Sequence, residues 1–325
     1  MHNKSFQKSI FLCVALFAIL IVPLVSVFAE EHEHKLAIVK SWDLSEYNAA
    51  LKGFFEVMDK HRVTCRTVTH NLKGAEDDAK KTVEEIRQFQ PDLIVTVGSR
   101  ATSVISESFD DVPIVFAMVL YPVASDFVPN MEKPGKNVTG AAMDVPIERQ
   151  LRTLSSVVPH LKRVGVLYSP EETQPVINKA RRVAESMDIR LIAEKVTSES
   201  DVPDALNRLR NQKIDALWSV ADGKVFTRPS TRYIIEYVVH RAIPFMGPHN
   251  GFVRAGALLA LTADYTDNGR QAAEISIRIL ENTDPKDIAV ATPREVELAL
   301  NLRIADHIGL RIPESVIAEA SQVFE

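Results

Sequence analysis

Apolar positions along the chain switch repeatedly between a continuous run and a helical spacing. Leu36-Ala37-Ile38-Val39 is a short continuous run, and Tyr47, Leu51, Phe54, Phe55 and Met58 then recur at helical intervals. Asp43-Leu44-Ser45-Glu46 between them reads as a capping box. Residues 63–68 predict a second strand. Ala79, Val83, Ile86 and Phe89 mark a helix that Pro91 ends. Residues 92–99 and 114–120 predict the third and fourth strands. Continuous apolar strands alternating with amphipathic helices predict a parallel sheet buried on both faces.

The pattern breaks between Tyr121 and Gly140, where Pro122, Pro129, Pro134 and Gly135 predict a linker or crossover. It then restarts with a helix over 147–158 and strands over 163–169, 191–196, 216–220 and 244–246. Helical stripes lie between them: Val176, Ile177, Ala180, Val183, Ala184 and Met187; then Ala205, Leu206 and Leu209; then Ile234, Ile235, Val238 and Val239. The expected fold class is α/β, with two doubly wound parallel-sheet lobes. A length of 325 residues accommodates both.

The first residues have a different character. Lys4 and Lys8 precede a nearly continuous apolar run over 10–29, and Val27-Phe28-Ala29 then meets Glu30-Glu31. This predicts a signal peptide over 1–29, cleaved after Ala29. The run is also long enough to anchor the chain uncleaved, although Pro23 favours the signal. Cleavage removes two lysines and Cys13, so the formal charge falls from −5 to −7 and Cys65 is left without a disulfide partner. Cys65 is expected as a small buried residue. The negative charge, without Lys/Arg blocks, argues against nucleic acid as a partner. His32 and His34 read as a solvated tail.

Neither GxGxxG nor GxxxxGK[ST] occurs, nor GxSxG, HExxH or paired-cysteine zinc spacing. No cofactor, no metal site and no catalytic constellation is therefore expected. In open α/β sheets, ligands sit beyond the carboxyl ends of strands, so each strand-to-helix step is a candidate. At Gly98-Ser99-Arg100 a helix would begin with free N–H groups, which attract anions. Ser99 and Thr102 add hydroxyls, and Arg100 could clamp a carboxylate. The other reading has Ser99 capping the helix and Arg100 in water. Trp42, Tyr121, Tyr168 and Tyr265 stand at such corners and read as walls of a cleft. Ser169 shares the corner of Tyr168. Asp222, His249 and Asp264 read as contacts to a polar end of a solute; the other reading makes Asp222 and Asp264 caps and His249 a loop residue.

The chain resembles the ABC transporter substrate-binding proteins of the tryptophan/tyrosine type, which have the periplasmic-binding-protein type I fold. The resemblance rests on ordered pieces: Pro91-Asp92-Leu93-Ile94-Val95 running to Gly98-Ser99, Val112-Pro113-Ile114-Val115-Phe116-Ala117, and Asn137-Val138-Thr139-Gly140. Lys162-Arg163-Val164-Gly165-Val166-Leu167-Tyr168, Ala263-Asp264-Tyr265 and Gly309-Leu310-Arg311-Ile312-Pro313-Glu314-Ser315 follow. It implies two lobes joined by three crossings, with limits at 36–141 plus 265–288 and 142–264 plus 289–325. It also implies an exported, periplasmic protein that closes on a small-molecule solute, amino acids among them, and delivers it to an ABC permease and ATPase. The membrane would be met only through that partner or an uncleaved leader. The same fold could instead present its closed form to a membrane sensor kinase. Three positions depart from the family: Tyr121-Pro122 replaces Asp-Pro, Gly247-Pro248-His249 replaces a Ser-Asp-like pair, and Arg100 replaces a small residue. These departures point toward a carboxylate-bearing solute with an apolar or aromatic body.

Overall fold

Uninterrupted apolar runs become strands because parallel strands are covered on both faces. The computed structural model describes residues 33–73 and 76–325; the predicted signal peptide lies outside the described residues. The first half runs β1 (His34–Lys40), α1 (Ser45–Lys60), β2 (Cys65–Asn71), α2 (Glu76–Phe89), β3 (Leu93–Val97), α3 (Ser99–Ser108), β4 (Ile114–Val119) and β5 (Val138–Ala142). The second runs α4 (Ile147–Val157), β6 (Arg163–Tyr168), α5 (Pro170–Ser186), β7 (Arg190–Lys195), α6 (Val202–Asn211), β8 (Ala216–Trp218) and α7 (Arg228–His240). It continues with β9 (Phe245–Gly247), α8 (Asn250–Ala255), β10 (Leu259–Ala263), α9 (Tyr265–Leu280), β11 (Val296–Asn301), α10 (Leu302–His307), α11 (Glu314–Glu319) and β12 (Gln322–Phe324).

Two sheets result. One has the order β2-β1-β3-β4-β5 and is parallel throughout. The other has the order β12-β11-β10-β9-β8-β6-β7 and is parallel except where β11 meets β10. Alternate residues of β1 face opposite cores: Ala37 and Val39 join Ile94, Ile105 and Phe116, while Leu36 and Ile38 join Phe54, Val95 and Val115. The second sheet divides likewise, with Val164 and Val166 on one side and Leu167 and Leu217 on the other.

Helix α9 follows a strand of the second sheet yet packs on the first. Its Ala272, Ala273 and Ile275 share a cluster with Leu36, Ile38 and Phe54. The chain therefore crosses between the sheets three times, and the crossings are tied together. The Ala142 amide donates to the Ala291 carbonyl (2.9 Å), and the Asp264 amide to the Glu295 carbonyl (3.1 Å). Arg294 from the third crossing pairs with the buried Asp267 of α9 (2.7 Å).

Three local expectations need correction. The end of the stretch between Tyr121 and Gly140, expected as a linker or crossover, belongs to β5 (Val138–Ala142), a fully buried edge strand. Its small residues hid it, and they are required: a Cβ on Gly140 would lie 2.2 Å from the Phe116 carbonyl oxygen of β4. The capping box at Asp43 does not form. Leu44 is the N-cap without a side-chain bond, and Asp43 instead pairs with Lys40 (2.7 Å). Cys65 is half-buried rather than buried, because β2 is an edge strand.

Candidate functional site

A cavity of about 750 Å³ lies between the two sheets. The first lobe contributes the tip of β4, Met118 and Leu120 through Ala124. The crossing after β5 contributes Met143 through Ile147. The second lobe adds Val176 and Lys179 of α5, Trp218 and Phe226 around β8, and His249 and Phe252 after β9. Tyr265 and Thr292, from the other two crossings, complete the lining. The walls are mostly apolar and aromatic, as in sites that hold a small solute.

The β4 tip is held in an unusual shape. Met118 and Tyr121 have φ of 58° and 54°, a left-handed conformation that side-chain-bearing residues seldom adopt. Asn268 of α9 fixes the first: its Oδ1 accepts the Met118 amide (2.8 Å), and its Nδ2 donates to the Ala141 and Ala142 carbonyls (3.1 and 3.0 Å). Asp144 fixes the second, accepting the Tyr121 amide with both oxygens (3.0 and 2.9 Å). The Tyr121 phenol oxygen then accepts the Ala221 amide of the second lobe (3.0 Å). Its ring packs against that lobe's core. Tyr121 thus spans the lobes.

Burial sets the electrostatics here. It pushes the Asp144 carboxyl up to about 6, against the opposing pull of the Tyr121 amide and the Lys179 charge. It also pushes the Tyr121 phenol well above its ordinary range, with Asp144 adding to the effect. His249 is shifted down, chiefly by burial, with Glu46 of α1 opposing. The Tyr265 phenol is raised by burial first and by Glu46 and Glu297 next.

Of the residues singled out from the sequence, Tyr121, Asp222, His249 and Tyr265 meet in the cavity lining. The other seven are not part of that lining. Trp42 is 47% exposed on the tip of β1. Ser99 and Arg100 are exposed at the start of α3. Gly98 is the N-cap of that helix, so the expected Ser99 cap is absent. The Ala101 amide is taken by Ser41 Oγ (2.9 Å), which uses one of the N–H groups an anion would need. Thr102 is fully buried, and its hydroxyl donates to the Gly98 carbonyl (3.0 Å). Tyr168 is a core residue, with its hydroxyl on Gln174 (3.2 Å). Ser169 caps α5, accepting the Glu172 amide (3.2 Å), and Asp264 caps α9, accepting the Asp267 amide (2.6 Å). His249 lines the cavity and also caps α8, its Nδ1 accepting the Gly251 amide (3.1 Å).

Sequence reasoning passed over Asp144, Lys179, Trp218 and Asn268. Asp144 directly follows the β5 tip and would have been found had Ala141-Ala142-Met143 been read as a strand end. Trp218 sits inside a predicted strand and belongs to the second lobe's core as well as to the cavity wall; its indole N–H donates to Gln150 Oε1 (2.8 Å). Lys179 and Asn268 lie on helices, with no local signal to distinguish them from ordinary surface or packing residues. Among the described residues, no group of three or more His, Cys, Asp or Glu could hold a metal ion. No described helix is long and apolar enough to cross a membrane.

Two lobes, three tied crossings and a cavity between strand tips define a clamp-like binding protein. Residues 36–324 match the family model of ABC transporter substrate binding proteins, and the chain belongs to that family. It is a family of binding proteins rather than enzymes. A tyrosine-binding protein of Clostridioides difficile (strain R20291) is 27% identical over 258 residues, covering 78% of this chain and 74% of that protein. An open, ligand-free substrate-binding protein with adhesive properties from Clostridium difficile superposes with a TM-score of 0.76 at 22% identity. That match covers 90% of this chain and 99% of the other. An ABC domain from Streptococcus pneumoniae in complex with L-Trp gives 0.69 at 21% identity, covering 90% and 100%. The two structural likenesses show the fold.

Proposed function

We propose that this protein captures an amino acid, or a close analogue with an aromatic or apolar body, in the interlobe cavity and delivers it to an ABC importer. The observation that carries the reading is the cavity itself: apolar and aromatic walls drawn from both sheets, with a charged pair, Asp144 and Lys179, among them. The tyrosine-binding relative supports the amino-acid class. The solute would favour the closed clamp because only that form lets both lobes contact it at once, and its differential affinity for that form drives closure. The lobes proposed are 36–141 with 265–288, and 142–264 with 289–325; the packing of α9 against α1 supports this division. A periplasmic location, reached through the leader over 1–29, and a permease–ATPase partner belong to the same reading.

A thermal-shift screen of the mature protein against amino acids, simple carboxylates, sugars and nucleosides tests it. A ligand at 100 times its Kd adds about 2.7 kcal/mol of stability. Aromatic amino acids should raise Tm most. A shift confined to sugars or nucleosides would contradict the reading.

A further inference from the structure

Two carboxylates line the cavity, and they differ in how far their acceptor capacity is used. Asp222 receives four donors: the Ser169 amide (2.7 Å), the Thr173 hydroxyl (2.6 Å), and the Lys224 and Val225 amides (3.1 and 3.0 Å). It is a filled structural acceptor. Among the described residues Asp144 receives the Tyr121 amide alone, shared between its two oxygens. A carboxylate offers about four acceptor sites, so Asp144 keeps capacity for further donors. Its neighbours in the lining include Met118, Met143 and Val145, which offer no side-chain donor. Holding one backbone amide requires an acceptor, not a charge, and a neutral carbonyl would do it. Burial holds the Asp144 carboxyl up at about 6, so its charge at neutral pH destabilises the empty protein. Lys179, exposed on α5, lines the same cavity and attracts that charge.

We propose that Asp144 receives the ammonium group of the solute and that Lys179 faces its carboxylate, so that the site selects a zwitterion over either half alone. This rests on the amino-acid reading above. It also accounts for Tyr121, which stands where an acid was expected. The acid is instead at the neighbouring strand tip, and its bond to the Tyr121 amide orients it. The groups facing Asp144 are Tyr121 from the β4 tip and Lys179 from α5, with Asp222 beyond the Tyr121 phenol. His249 lines the same cavity, with its own value shifted down by burial, and is a second titratable group there. The variant therefore serves as the control.

The test is calorimetric titration of the mature protein with L-tyrosine, tyramine and 3-(4-hydroxyphenyl)propionate between pH 5 and 7.5, in two buffers of different ionisation heat. L-tyrosine should bind best. Its affinity should fall about tenfold from pH 7.5 to pH 5, and nearly one proton should be released per ligand at the acid end. Asp144→Asn should flatten that profile and bind the amine-free acid at least as well as L-tyrosine, with an unchanged circular dichroism spectrum. Tight L-tyrosine binding that is independent of pH in the unmodified protein would overturn the assignment of Asp144 while leaving the amino-acid reading intact. So would wild-type affinity in Asp144→Asn. Absence of heat with all three probes would overturn the amino-acid reading, and the assignment with it.

Discussion

The strand tips at Asp222 and Asp144 present the same side chain to the same cavity and treat it in opposite ways. At Asp222 the chain surrounds the carboxylate with donors from α5 and from its own turn. At Asp144 it supplies one amide and apolar neighbours. The first arrangement stabilises the fold; the second leaves interaction capacity unused. A binding site in this fold is therefore identified by which polar groups remain uncommitted, not by which stand at a strand end. The α3 step makes the same point. Its Thr102 hydroxyl and one of its free amides are already engaged, by Gly98 and Ser41, which leaves an exposed arginine beside a partly filled anion site.

Substitutions can break this contrast, beginning with the largest effect. Asp222→Ala removes an acceptor from four buried or half-buried donors and should cost roughly 3–5 kcal/mol, measured by denaturant unfolding. A loss below about 1 kcal/mol would mean that water replaces the carboxylate and that the two tips are alike.

Asp144→Asn should do the reverse. The folded carboxyl at about 6 lies above its ordinary 3.8. Between those values the folded state keeps a proton that the unfolded state has released, so stability falls as pH rises, and the penalty is complete above about 6. The variant should then melt about 2–4 °C above the parent at pH 8. The difference should vanish below about pH 4. A variant less stable than the parent at pH 8 would place Asp144 with Asp222.

Tyr121→Phe keeps the ring in the second lobe's core and removes the acceptor for the Ala221 amide. It should cost about 0.5–1.5 kcal/mol and increase the radius of gyration of the ligand-free protein in small-angle scattering. An unchanged scattering profile would mean that the phenol does not hold the lobes together. Arg100→Ala should have the smallest effect, within about 0.5 kcal/mol in stability and with little change in affinity. A large loss of affinity would return the α3 tip to the site.

The fold was legible because burial on both faces is written as continuous apolar runs, and β1, β3, β4 and β6 stand close to where those runs lie. Strand β5 was not, because an edge strand pressed against Phe116 needs Gly and Ala, the residues that look least like a strand. That miss concealed Asp144, since the rule that finds ligands at strand tips works only on strands already recognised. The aromatic corners divided for a similar reason. Tyr121 and Tyr265 line the cavity, whereas Tyr168 turned into the core. A tyrosine satisfies burial in either direction, and tertiary packing decides which. Lys179 carries no such signal, because one lysine on an amphipathic helix is locally identical to any other.

Hydrogen–deuterium exchange of the mature protein with and without L-tyrosine tests the central claim, that a solute is held between the lobes by the tips of β4, β5 and β8. Protection should concentrate in residues 118–124, 143–150 and 218–226, in both lobes at once. Protection limited to one lobe, or centred on residues 41–47 and 98–102, would contradict it.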